Sequence, residues 1–225
     1  MARRKHKSFW QEQKAKGLTI MIVVVDYSTG NLGSIANMLK KVGAAAVVSS
    51  DPSVIEKADK LILPGVGAFD NAVKNLEASG LVPVLTTKVI EDKTPILGVC
   101  IGAHLFTKGS EEGSLPGLGW IDSKIIRFRF DKSQTNLKVP HMGWNLITIT
   151  QPHPIFRDMY EEAKFYFVHS YHFVCSNEKN ILTKTHYGYE FASTIINDNI
   201  VGTQFHPEKS HKYGMKLLKN FAEYF

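Results

Sequence analysis

Four short apolar runs lie between residues 20 and 99, and helical patterns separate each from the next. This alternation constrains the chain more than any other feature. Ile20 to Val25 is a continuous, largely β-branched run, as expected of a strand buried on both faces. Asp26 to Asn31 is rich in turn formers, Asn31 to Val42 follows with helical spacing, and Gly43 is placed as its stop. Ala45 to Ser49 reads as a second strand, and Asp51-Pro52-Ser53 starts a short helix running to about Ala58. Leu61 to Leu63 is a third strand ending at Pro64, with helical patterns through Leu76 and from Val82 to Glu91. Ile96 to Val99 is a fourth strand with Cys100 at its end. Such alternation predicts a mostly parallel sheet with right-handed crossovers, and chemistry at the carboxyl ends of its strands.

The second half reads differently. Trp120 to Phe130, Leu146 to Thr150 and Phe165 to Val174 are expected strands, and Phe191 to Ile196 pairs with Ile200 to Phe205 in a hairpin over residues 197–199. Ser210 to Tyr224 closes the sequence as an amphipathic helix. The expectation is one α/β domain over residues 21–225 with an added antiparallel region, preceded by a disordered leader over 1–20, with Met21 as an alternative start.

Charge bears on partners. Of the net +6, residues 1–16 hold +5, so the remainder is near neutral and offers no basic face for nucleic acid. The leader has no apolar core of a secretory signal, and no run reaches membrane-spanning length. Cys100 and Cys175 make neither a disulfide framework nor a zinc site, which points to a reducing cytoplasm and no metal or other cofactor. The first glycine-bearing loop lacks the G-x-G-x-x-G spacing of a dinucleotide site.

Three segments carry chemistry. Gly98-Val99-Cys100-Ile101-Gly102 puts a thiol on a sharp strand-to-helix turn, with a helix expected over Ala103 to Lys108 whose N-terminus favours the thiolate. The plainer alternative is a buried core cysteine. Gln204-Phe205-His206-Pro207-Glu208 offers a base and its orienting carboxylate, which strand alternation would project together. A surface His and Glu ahead of a helix is the competing explanation. Pro64-Gly65-Val66-Gly67 can turn a backbone N–H toward a developing oxyanion, or be an ordinary glycine turn.

Together these segments resemble class I glutamine amidotransferases of the triad type. Val139-Pro140-His141-Met142-Gly143-Trp144-Asn145, Tyr166-Phe167-Val168-His169-Ser170-Tyr171, and Asp26-Tyr27 followed by Gly30-Asn31-Leu32 resemble the glutaminase subunits of imidazole glycerol phosphate synthases. The resemblance implies Cys100 as nucleophile, His206 as proton shuttle and Glu208 as its orienter. It implies an oxyanion hole from Gly65, Val66, Gly67 and Ile101, completed by a partner-triggered peptide flip. Glutamine would be held at Gly102, His104, Glu112, Ser170 and Tyr171. Asn31, Trp144, Tyr166 and Lys209 would face a (β/α)₈ synthase that receives ammonia through a sealed passage. The chain departs from the family pattern at His104, where glutamine is usual, and at Ser28, where glycine is usual. Lys108-Gly109-Ser110 and residues 210–215 are nearer to paralogues that feed ammonia to surface-polysaccharide sugars, the alternative acceptor. A non-catalytic scaffold is the alternative of another class, disfavoured by the intact Cys-His-Glu set.

Overall fold

A computed structural model describes residue 17, residues 20–131 and residues 137–225. The expected leader lies almost entirely outside the described residues. β1 (Ile22–Val25), β2 (Ala46–Ser49), β3 (Lys60–Gly65) and β4 (Ile96–Cys100) are joined by α1 (Leu32–Lys41), α2 (Pro52–Glu56), α3 (Phe69–Ala78) and α4 (Val82–Thr86). A π-helical turn, Thr87–Glu91, extends α4. Asp51 caps α2 by accepting from the Ser53 N–H at 2.8 Å.

The chain continues through a single-turn helix α5 (Ile101–His104), then β5 (Ser123–Arg127), β6 (His141–Leu146), β7 (Thr148–Ile149), β8 (Lys164–His169), β9 (Tyr171–Cys175), β10 (Ile181–Tyr187), β11 (Tyr189–Asn197), β12 (Ile200–Thr203) and α6 (His211–Tyr224). The main sheet runs β2-β1-β3-β4-β12-β11-β10-β7. Its first five strands are parallel and the rest antiparallel, with β9 and β5 attached at β11. β6 and β8 form a separate antiparallel pair. The architecture is the α/β one expected: a mostly parallel central sheet with antiparallel additions. β1, β3, β4 and β12 are buried throughout, as their apolar runs require. Among the described residues no helix is long and apolar enough to cross a membrane.

Several expectations need correction. The helix over Ala103 to Lys108 stops after one turn: the Phe106 and Thr107 N–H groups bond three residues back, to Ala103 and His104, and the Lys108 N–H donates to the Ser123 carbonyl outside the helix. The expected strand Phe165 to Val174 is broken at Ser170, whose carbonyl accepts from Phe128 N–H. The two pieces then join different sheets. Leu146 to Thr150 likewise changes partner. β6 starts at His141 and pairs with β8, whereas β7 pairs with β10. The strand in Trp120 to Phe130 shortens to β5. β10 was not expected, because its inward side chains are hydroxyls. Thr183 and Thr185 are buried and bond Ser193 and Thr194 across β11 at 2.8–2.9 Å.

Lys60 also departs from the usual exposed lysine. It is fully buried, and its Nζ donates to the carbonyls of Phe221, Ala222 and Phe225 at 2.7–2.9 Å, closing the end of α6. Burial pulls its pKa down to about 7.

Candidate active site

Three adjacent strands deliver the candidate residues to one edge. β3 ends at Gly65 and β4 at Cys100, paired in register, and β12 leads into His206. Cys100 takes φ +52° and ψ −113°, a conformation that costs a non-glycine residue about 1–3 kcal/mol and needs its surroundings to enforce it. The flanking glycines allow this. A Cβ on Gly102 would run into the Leu63 carbonyl oxygen, and one on Gly98 would lie 2.6 Å from Ala103 Cα. Cys100 is buried, 5% exposed. With only one helical turn behind it, the sulfur experiences little macrodipole.

His206 and Glu208 meet, though not by strand alternation. β12 ends at Thr203, and a 3₁₀ turn at Pro207–Lys209 folds the carboxylate back, so that His206 Nδ1 lies 2.9 Å from Glu208 Oε1. The His206 backbone is fixed from both sides. Its N–H donates to the Tyr166 carbonyl, and its carbonyl accepts from Ser210 Oγ at 2.6 Å, which in turn accepts from Tyr166 N–H. Burial pulls the imidazole pKa down. The Cys100 sulfur and the Glu208 carboxylate outweigh it and push the value up to about 10.

A cleft of about 400 Å³ opens over these groups, enough for a small amino acid. Of the expected site residues, Val66, Gly67, Cys100, Ile101, His104, Glu112, Ser170, Tyr171, His206 and Lys209 line it. Gly65 and Gly102 pack against each other behind the elbow, and Glu208 stands behind His206. Gly67 has φ +93° with open space around it, so its glycine is conformational, whereas Gly65 is glycine for lack of room. Glu112 is half-buried and accepts from Phe69 N–H at the start of α3. Burial raises its pKa, with that N–H opposing. Its loop is tied down by Asp70, which accepts from the N–H groups of Ser114 and Leu115. Sequence reading missed Pro140, Val168 and His169, which also line the cleft. The signal available was that His169 adjoins Ser170.

His104 is 2% exposed. Its Nε2 contacts Gln204 Oε1, its Nδ1 is buried without a partner, and its ring meets Phe173 edge-on. Burial brings its pKa down to about 4. Ser28, the other departure, sits at φ +63°, where glycine is favoured, with its N–H donating to Asp26 Oδ1.

Asn31, Trp144 and Tyr166 lie outside the cleft. Asn31 precedes α1 and makes no side-chain cap bond. Trp144 is 45% exposed, stacks on His211 at 5.3 Å and meets Tyr166 edge-on. Lys209 at the cleft rim lies over the Tyr166 ring. Met142, Trp144 and Leu146 alternate along β6 and form an exposed apolar row.

Residues 23–224 match the family model for glutamine amidotransferase class-I. The chain is 51% identical to the imidazole glycerol phosphate synthase subunit HisH 2 of Methanococcus maripaludis, and 51% identical to the protein of the same name in Pseudomonas aeruginosa. Each match covers 90% of this chain and 99% of the relative. A solved structure of PurLQS from Thermotoga maritima shares the fold, with a TM-score of 0.67 at 16% identity over 91% of this chain and 98% of that one. The chain belongs to the class I glutamine amidotransferases and, within them, to the HisH glutaminase subunits of imidazole glycerol phosphate synthase, which hydrolyse glutamine.

Proposed function

We propose that Cys100, His206 and Glu208 are the hydrolytic triad of this glutaminase, and that the ammonia released passes to a (β/α)₈ synthase seated over Trp144, Tyr166, Lys209 and Asn31. Cys100 Sγ attacks the side-chain amide carbon of glutamine. His206 delivers a proton to the departing ammonia, leaving a glutamyl thioester. Water then attacks the thioester with His206 as base, releasing glutamate and the thiol. Glu208 holds the ring through Nδ1, which leaves Nε2 for the sulfur. The N–H of Ile101 and an N–H from Val66 or Gly67 stabilise the oxyanion, the latter after a turn of the peptide that Gly67 permits. Glu112 takes the α-ammonium of glutamine. Ser170 and Tyr171 contact the substrate through their backbone, and His104 lies beside it.

The observation that supports this reading most is the strained backbone of Cys100 in a cleft floored by His206. The exposed row on β6 supports the docking face. The test is Cys100→Ser in the complex with the co-purified synthase. Glutamine-dependent synthesis should be abolished while synthesis from added ammonium salt survives. Loss of both activities would assign Cys100 a structural part instead.

A further inference from the structure

From the cleft wall at His169 a chain of hydrogen bonds runs away from the reacting groups. His169 Nδ1 lies 2.7 Å from the Tyr171 carbonyl oxygen. His169 Nε2 lies 3.0 Å from His141 Nδ1. His141 Nε2 lies 3.2 Å from Asn145 Nδ2. The Asn145 amide is oriented independently, since its Oδ1 accepts from Leu146 N–H and its Nδ2 donates to the His186 carbonyl.

These partners assign every proton. A carbonyl only accepts, so His169 carries its proton on Nδ1, and its Nε2 is bare. His141 must then donate from Nδ1, which leaves its Nε2 to accept from Asn145. Both rings are neutral in this arrangement. A second proton on either would set donor against donor. Burial disfavours a charge on His169, as do His141, His104 and His172, and only the Tyr171 carbonyl opposes them. His141 is stacked between Phe167 and Tyr187 at 4.8 and 4.0 Å, and Phe128 touches both imidazoles.

We propose that Asn145, His141 and His169 are positioning residues that fix the Tyr171 carbonyl at the rim of the cleft and thereby set the affinity for glutamine. The proposal rests on reading Ser170 and Tyr171 as glutamine contacts. The Ser170 carbonyl is already engaged by Phe128 N–H. With the Tyr171 carbonyl held by His169, the orientation of both peptides at the break between β8 and β9 is determined. The far end of the chain, Asn145, adjoins Trp144 on β6, so the same strand carries the exposed apolar row and the device that shapes the cleft.

The test combines spectroscopy and kinetics on the full chain. ¹⁵N-histidine NMR at pH 7 should find Nδ1 protonated and Nε2 bare on both rings. A proton on Nε2 of either ring would overturn the assignment. His141→Phe keeps the stacking and removes both ring nitrogens. It should raise the glutamine KM about tenfold, with kcat and the rate of Cys100 alkylation by iodoacetamide changed less than twofold. His141→Gln, which can donate and accept, should restore KM to within about threefold. Joint loss of kcat and alkylation would reduce His141 to a structural residue and overturn the proposal. Glutamine titrated into a Cys100→Ser chain separates the two ways of failing. Unmoved amide signals of Ser170 and Tyr171 would sink the contact reading. Moved signals with an unchanged KM in His141→Phe would sink the positioning role.

Discussion

His104 Nε2 lies 3.0 Å from Gln204 Oε1 and so ties the residue four beyond Cys100 to the residue two before His206. An amide oxygen accepts, so His104 donates from Nε2 and its buried Nδ1 is a bare acceptor with no partner. An imidazole in a family glutamine's place thus keeps the bond to Gln204 but replaces an adaptable amide by a ring of fixed geometry. One imperfect hydrogen bond is worth about 1 kcal/mol. His104→Gln should lower the glutamine KM several-fold with kcat nearly unchanged, measured in the presence of the partner. An unchanged or higher KM would remove His104 from the substrate contacts.

The two kinds of glycine should respond differently to a methyl group. Gly102→Ala sets a Cβ against the Leu63 carbonyl oxygen and Pro64 backbone. Nothing there can yield without moving β3, so a loss of at least 1–3 kcal/mol of stability is expected, with glutaminase activity lost alongside. Gly67→Ala meets no atom but must hold φ +93°, at roughly 1–2 kcal/mol. That variant should fold and bind glutamine while losing kcat. Urea midpoints and the split between KM and kcat check both expectations.

Buried neutral histidines make the fold sensitive to acid. Burial sets the folded pKa of His104 and of His141 to about 4, and that of His169 well below its ordinary 6.5. A folded value below the unfolded one means that the unfolded chain takes up the proton first. Stability is therefore complete above pH 6.5 and falls as pH drops toward 4. By pH 5 His104 alone costs about 2 kcal/mol, a large share of a domain's stability. His206 has the opposite sign. Its contribution is complete below pH 6.5 and is lost as pH rises through about 10. Urea midpoints should drop steeply between pH 6.5 and 4, and His104→Gln should flatten that drop.

The parallel half of the fold was legible because its central strands β1, β3 and β4 are buried on both faces. Pro64-Gly65 and Val99-Cys100 could be placed at strand ends without coordinates. The short helix after Cys100 was not legible, because the Lys108 N–H leaves it for the carbonyl of Ser123, a partner fifteen residues on. The break at Ser170 hides inside an unbroken β-forming run and is decided by the choice of sheet partner. His206 and Glu208 were matched for the wrong reason, since a 3₁₀ turn brings them together. The His141–His169 contact joins residues far apart in sequence, and no local pattern encodes it.

Trp144 should matter for association and not for folding. Its ring is 45% exposed, stacks on His211 in the free chain and stands between Met142 and Leu146 on the outer face of β6. A half-exposed aromatic anchor is the type of residue that dominates an interface, at 2 kcal/mol or more. Trp144→Ala should leave the urea midpoint of the chain within experimental error and weaken binding to the co-purified synthase about thirtyfold, read by calorimetric titration. Unchanged affinity would move the docking face elsewhere.

In the proposed triad Glu208 acts through His206, and its effect should be separable from substrate binding. Its side chain is almost wholly buried, and Oε1 is engaged by His206 Nδ1. Glu208→Gln keeps an acceptor of the same shape and removes the charge that helps to raise His206 to about 10. The imidazolium formed when Cys100 gives up its proton then has one fewer counter-charge in a buried site. The His206 pKa should move down, the alkylation of Cys100 at pH 7 should slow, and kcat should fall by roughly ten- to a hundredfold, less than loss of the whole general base would cost because His206 itself remains. The glutamine KM should hold, because Glu208 does not line the cleft. Glu208→Ala goes further. It leaves Nδ1 buried without an acceptor, lets the ring turn, and should cost more in kcat than the glutamine variant. The comparison is made by titrating His206 with NMR and measuring glutaminase kinetics on the three proteins. Equal activity in all three would mean that the 2.9 Å contact orients nothing the reaction needs.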